Sequence, residues 1–124
     1  NVEQSARIAS RGSPAAEPTV LCTPAGKFCS SLLRRLASAP PAERYDVCLV
    51  DPPRAGLDAH SLRLACRHDH ILYISCNPSA LDENLRDAHL DETHELRKCA
   101  LFDHFPFTEH SECAVYLRRR RSQS

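Results

Sequence analysis

Hydrophobic and polar positions divide the chain into short apolar runs alternating with amphipathic stretches. Residues 1–9 read as the end of a helix, with Val2, Ala6 and Ile8 as candidate buried positions. Residues 10–18 (SRGSPAAEP) read as a mobile loop of small residues and proline. A short β-prone run, 19–22, follows. After Thr23-Pro24, residues 25–37 place Phe28, Leu32, Leu33 and Leu36 at helical spacing, and Pro40-Pro41 end that helix. Residues 45–50, with Val47, Leu49 and Val50 apolar, look like a buried parallel strand. Asp51-Pro52-Pro53 stops it, because neither proline can donate to a ladder. Residues 58–67 form a helix opened by an Asp58 cap, and 70–75 a second strand. Residues 79–89 predict a helix whose buried stripe is Leu81, Leu85 and Ala88. Two further strands, 94–102 and 112–119, are joined by the aromatic loop 103–111.

Strands alternating with helices predict an open α/β sheet, mostly parallel, and the closing pair of strands predicts a terminal antiparallel hairpin at one edge. In such sheets the ligand crevice lies beyond the carboxyl ends of the strands. The loops 51–54 and 76–78 both leave consecutive strands at that end. If those strands are neighbours, the loops approach to about 5–10 Å, which puts a carboxylate and a thiol at one site.

Composition narrows the class without naming a partner. The apolar share of 42% and charged share of 26% suit one globular domain. No run approaches the roughly 18–20 apolar residues of a membrane span, and no signal-peptide pattern opens the chain. Acids and bases balance at 16 each. The one local bias, Arg118–Arg121, reads as a solvated tail or as a contact to RNA phosphates. Seven cysteines without CxxC argue against a disulfide framework and against a zinc site, so reduced thiols point to an intracellular, cytoplasmic setting. The chain opens on Asn1 and holds no Met, so it reads as part of something longer.

Cys76 lies just past a strand end in a polar turn before Pro78, where substrate can reach it and the amides opening the next helix favour its anion. Taken alone, such a cysteine is more often structural. Asp51 taken alone is a turn cap or a ligand-binding carboxylate. Glu112 by itself reads as a solvent-facing charge on a strand.

Together these residues resemble the RNA uracil-5-methyltransferase family, which uses S-adenosylmethionine. The matching pieces are Asp51-Pro52-Pro53-Arg54-Ala55-Gly56-Leu57-Asp58, then Ile71-Leu72-Tyr73-Ile74-Ser75-Cys76-Asn77-Pro78, then residues 100–113, ALFDHFPFTEHSEC. The resemblance runs from Tyr45 to Leu117 and faintly over residues 1–37. It implies the C-terminal part of a Rossmann-like methyltransferase sheet. It also implies Cys76 as the nucleophile that adds to carbon 6 of uracil and Glu112 as the base that removes the carbon 5 proton. Asp51 falls at the family's cofactor–uracil crevice. Arg54, Asn77, Phe107 and His110 are the substrate-binding candidates: Arg54 for a phosphate or for orienting Asp51, Asn77 with Pro78 for shaping the nucleophile loop. Phe105, Phe107 and His110 would meet a base turned out of its stack, although core packing is the plainer reading for Phe102 and Phe105.

The resemblance implies tRNA as the RNA partner, with ribosomal RNA as the alternative, and no metal. It divides the chain into an incomplete N-terminal part (1–44), a catalytic half (45–119) and a tail (120–124). Residues 19–22 would be a far-edge strand lacking its usual neighbour, so the segment 1–37 should pack less well than 45–117. Gly12, Gly26 and Gly56 form no GxG turn, so the chain by itself is expected to lack the cofactor cradle and to be inactive. Two rivals remain: an amino-group methyltransferase of the same fold, and a non-catalytic RNA-binding remnant. Neither needs Cys76 or Glu112.

Overall fold

A computed structural model describes residues 20–38, 45–104, 106–108 and 110–121. The readings for residues 1–19, for Pro40-Pro41 and for Phe105 lie outside the described residues. In order, the elements are α1 (Ala25–Ser38), β1 (Val47–Val50), α2 (Ala59–Ala65), β2 (His70–Ser75), α3 (Pro78–Leu85), α4 (Ala88–Thr93), β3 (His94–Phe102) and β4 (Glu112–Arg119). The four strands form one sheet in the order β1-β2-β4-β3.

β1 pairs parallel with β2, Val47 facing His70 and Val50 facing Tyr73. β4 runs antiparallel to both its neighbours, inserted between β2 and β3. Three of the four strands therefore share one direction, and the closing hairpin is the antiparallel element that the alternation of elements predicts. A bulge between Leu96 and Lys98 interrupts its register.

One face of the sheet carries the core. Ile71, Tyr73, Val115 and Leu117 pack against Leu62, Ala65 and Cys66 of the α2 region, with Leu81 and Leu90 of α3 and α4. Each such large side chain taken from water stabilises by about 1.5–3 kcal/mol. On the other face, where no described helix lies, Val47 (54%), Leu49 (64%), Leu72 (43%) and Phe102 (45%) stay exposed. This corrects the expectation of a buried β1. Strand alternation sends Cys48 and Val50 to the core but Val47 and Leu49 to the open face.

Three other expectations change. Residues 20–22 form no strand; a lone run without a ladder partner has nowhere to place its backbone hydrogen bonds. The helix expected over 79–89 is two helices, because Asp87 caps a new one by accepting from the His89 amide (3.0 Å). The buried residue there is Leu90, whereas Ala88 is exposed. α1 spans the predicted stretch, yet Cys29 is its one buried residue and Phe28 is 37% exposed. The Asp58 cap is as expected: its carboxylate accepts from the amides of His60 and Ser61 (2.9 and 3.0 Å). Those bonds, the Ser61 amide first, hold its pKa below the ordinary carboxylate value.

The sheet end away from the 51–54 and 76–78 loops is tied by Arg119. Its guanidinium donates to Asp69 Oδ1 (2.8 Å), to the Cys66 carbonyl (2.7 Å) and to the His68 carbonyl (3.2 Å). Arg118 pairs with Glu95 at 2.9 Å, and Arg120 donates to the Asp91 carbonyl at 3.0 Å. Three members of the arginine run thus bond within the fold, while Arg120 and Arg121 are exposed.

Candidate active site

Cys76 follows β2 immediately, and the turn that presents it is held from within. The Ser75 hydroxyl accepts from the Asn77 amide (3.1 Å) and donates to the Asn77 carbonyl (2.9 Å). Asn77 caps α3 through the Ser79 amide (3.2 Å), and Pro78 occupies the first turn, where its missing N–H costs nothing. The Asn77 carboxamide also donates to the Arg54 carbonyl at 2.8 Å, joining the nucleophile turn to the loop that leaves β1.

Glu112 reaches the same place from the other direction. β2 and β4 pair with Ser75 opposite Cys113, so Cys76 and Glu112 are the residues next to the end of that antiparallel ladder. Arg54, Cys76, His110, Ser111 and Glu112 line one cavity of about 230 Å³. Both Cys76 and Glu112 are half-buried.

The structure thus gathers Cys76, Glu112, Arg54 and His110, with Asn77 beside them as the brace between loops. Asp51 stands exposed at the carboxyl end of β1 and is not in the cavity lining. Phe107 is fully exposed in the left-handed region (φ 67) and also lies outside the lining. Ser111 lines the cavity without having been singled out in the sequence. Asn84 and Tyr73, which hold the 54–57 loop, were also missed. The available signal for Asn84 was its place seven residues after Asn77, two helical turns along one face.

Burial pushes the thiol pKa values of Cys48, Cys66 and Cys113 up, which suits small hydrophobes rather than reactive groups. All seven are free thiols. Among the described residues no cluster of His, Cys, Asp or Glu could hold a metal ion, and no described helix is long and apolar enough to cross a membrane.

A family model of tRNA (Uracil-5-)-methyltransferases matches residues 35–120, which include every member of this cavity. The chain belongs to that family. It is 57% identical over 77 residues to a tRNA/tmRNA (uracil-C(5))-methyltransferase of Teredinibacter turnerae, covering 62% of this chain and 21% of that protein. The enzyme of the same description from Pasteurella multocida is 56% identical over 79 residues, 64% of this chain and 21% of its own. Among solved structures, the Pyrococcus abyssi tRNA (uracil-54, C5)-methyltransferase in complex with S-adenosyl-L-homocysteine superposes with a TM-score of 0.53. That match has 26% identity and covers 75% of this chain and 27% of the other. The chain spans about a fifth of the length of these curated relatives.

Proposed function

We propose that this chain supplies the nucleophile, the base and the RNA-facing wall of an enzyme that methylates carbon 5 of uridine in tRNA. The observation that carries this reading is the cavity that Cys76 and Glu112 line together at the end of the β2–β4 ladder.

Carbon 5 of uracil is a poor nucleophile. Adding the Cys76 thiolate to carbon 6 moves the ring's double-bond pair into an enolate, which makes carbon 5 reactive. Once carbon 5 is methylated, Glu112 takes its remaining proton, the carbon 5–carbon 6 double bond re-forms, and the Cys76 sulfur leaves as thiolate. Arg54 and His110 meet the extruded nucleotide, and Phe107 offers an exposed ring on the hairpin loop against which a base can rest. Asn77 shapes the nucleophile turn. Asp51 marks the side of the crevice from which the methyl donor approaches.

The donor in this reading is S-adenosylmethionine, which supplies a methyl group on a sulfonium. The two described glycines, Gly26 and Gly56, stand singly and form no GxG turn. In this reading the chain by itself does not hold the methyl donor and is inactive. The names of the relatives support tRNA over ribosomal RNA as substrate, and the Pyrococcus abyssi enzyme supports the uridine of the T-loop.

The test uses a catalytically competent full-length protein and tRNA carrying 5-fluorouracil, whose carbon 5 has no proton to lose. A stable covalent complex is expected with the native protein and none with Cys76→Ala. Methylation persisting in Cys76→Ala would falsify the reading, and so would failure of the native protein to be trapped.

A further inference from the structure

We propose that Asn84 is a positioning residue that holds the 54–57 loop so that Arg54 faces Cys76 across the cavity, an inference that rests on the reading of that cavity as the reaction site. The Asn84 carboxamide behaves as a local strand partner for Leu57. Its Oδ1 accepts from the Leu57 amide at 2.8 Å and its Nδ2 donates to the Leu57 carbonyl at 3.2 Å. Tyr73, buried in β2, donates its hydroxyl to the same Oδ1 at 2.7 Å. Two donors converging on one oxygen set which end of the carboxamide is which.

The anchoring is specific to this pair of loops. Asn77 and Asn84 lie on one edge of α3, two turns apart, and grip the loop at Arg54 and at Leu57 respectively. Between the two grips the chain turns back on itself, with the Gly56 amide bonded to the Pro53 carbonyl at 2.9 Å. Gly56 has φ 80, and a Cβ there would meet Asn84 Oδ1 at 2.8 Å, so glycine is required for the loop to sit this close. The helix that begins one residue after the nucleophile turn thus dictates where Arg54 emerges. A buried asparagine that merely satisfied polar groups would need no such link to the cavity.

The experiment is a double-mutant cycle in the catalytically competent full-length protein, with Asn84→Leu, Arg54→Ala and the double variant, using tRNA as substrate. The expected result is a loss in kcat of at least about tenfold for Asn84→Leu with KM for tRNA changed less than threefold. The double variant should match Arg54→Ala within about twofold, because Asn84 acts through Arg54. Asn84→Asp, which keeps both accepting bonds, should recover part of the loss. Tyr73→Phe removes one bond without removing volume; if Asn84→Leu does not fold, it should show a smaller fall in kcat with the same dependence on Arg54. A second readout is independent of methylation. Iodoacetamide alkylation of Cys76, followed peptide by peptide, should change at least threefold and in the same direction in Asn84→Leu and Arg54→Ala, with the exposed Cys22 as internal reference. Additive losses in the cycle, or unchanged kcat and unchanged alkylation, overturn the proposal. Activity surviving in Cys76→Ala overturns the reading of the site instead, and the alkylation rates then decide on Asn84.

Discussion

The two ends of the sheet use the same strands for opposite purposes. At one end Arg119 and His94 bond backbone carbonyls of the α2–β2 connection and Asp69 accepts from Arg119, so charged and titratable groups are consumed in holding the fold. At the other end the hydrogen bonds run through the backbone and through asparagine and serine, while Cys76, Glu112 and Arg54 turn toward a cavity. Reactive side chains become available where neutral amides do the structural work. Substitutions at the two ends should therefore separate cleanly into losses of chemistry and losses of stability.

The largest effect is expected at the cavity end. Glu112→Gln keeps the shape of the side chain but cannot take the carbon 5 proton, so turnover should fall about 10²–10⁴-fold in the full-length enzyme. Ordinary tRNA should then accumulate as a covalent, methylated complex visible on a denaturing gel, with the thermal midpoint unchanged. A Glu112→Gln protein that unfolds instead would break the division between the two ends.

Next comes Arg119→Met, which removes three charge-assisted bonds from a side chain one-third exposed. After allowance for solvent screening the expected cost is about 2 kcal/mol, read as a lowered urea midpoint. Trapping by 5-fluorouracil RNA at a temperature where the variant is folded should be unaffected.

A third, smaller effect is pH-dependent. Burial pushes the His94 imidazole below its ordinary pKa of 6.5, an effect only partly offset by its hydrogen bond to the His68 carbonyl. The unfolded chain then binds a proton that the folded one refuses. The stability from a neutral His94 is thus complete above pH 6.5 and is lost as pH falls from there through the lowered folded value. Thermal midpoints should drop on acidification below pH 6.5, and His94→Gln should flatten that drop. A flat native profile over this window would remove His94 from the structural end's account.

The smallest effect concerns Arg120. Its guanidinium is already bonded to Asp91, so Arg120→Ala should leave the salt dependence of tRNA binding unchanged. A phosphate contact would lower that slope by about one unit. Such a change would give the far end a part in RNA binding.

Much of this was legible along the chain. The bounds of β2, β3 and β4 follow from apolar runs that end at polar loops, and Asp58 announces α2 because a carboxylate next to free amides is a local matter. The motif residues Cys76 and Glu112, 36 positions apart, could be linked from sequence only through the family's pattern, and the β2–β4 pairing that ends at Ser75 and Cys113 is what brings them to one cavity. The break at Asp87 went unseen because the apolar spacing of Leu81, Leu85 and Ala88 fits one helix as well as two. The exposure of Val47 and Leu49 depends on what covers a sheet face, which periodicity does not report. Phe107, placed in the site by resemblance, and Asp51, placed there by the loop arrangement as well, are not in the cavity lining, since the position of a loop residue is set by the turn around it.

The sequence by itself determined most of the elements from residue 45 onward, the two polar loops at one end of the sheet and the thiol and carboxylate they offer, because caps, turns and side-chain alternation are properties of neighbours along the chain. Only the tertiary structure decided that β4 inserts between β2 and β3, that Arg118, Arg119 and Arg120 bond within the fold, and that Asn84 governs a loop 27 residues away. Those outcomes depend on pairing and burial between distant segments. No local pattern encodes the distance between them.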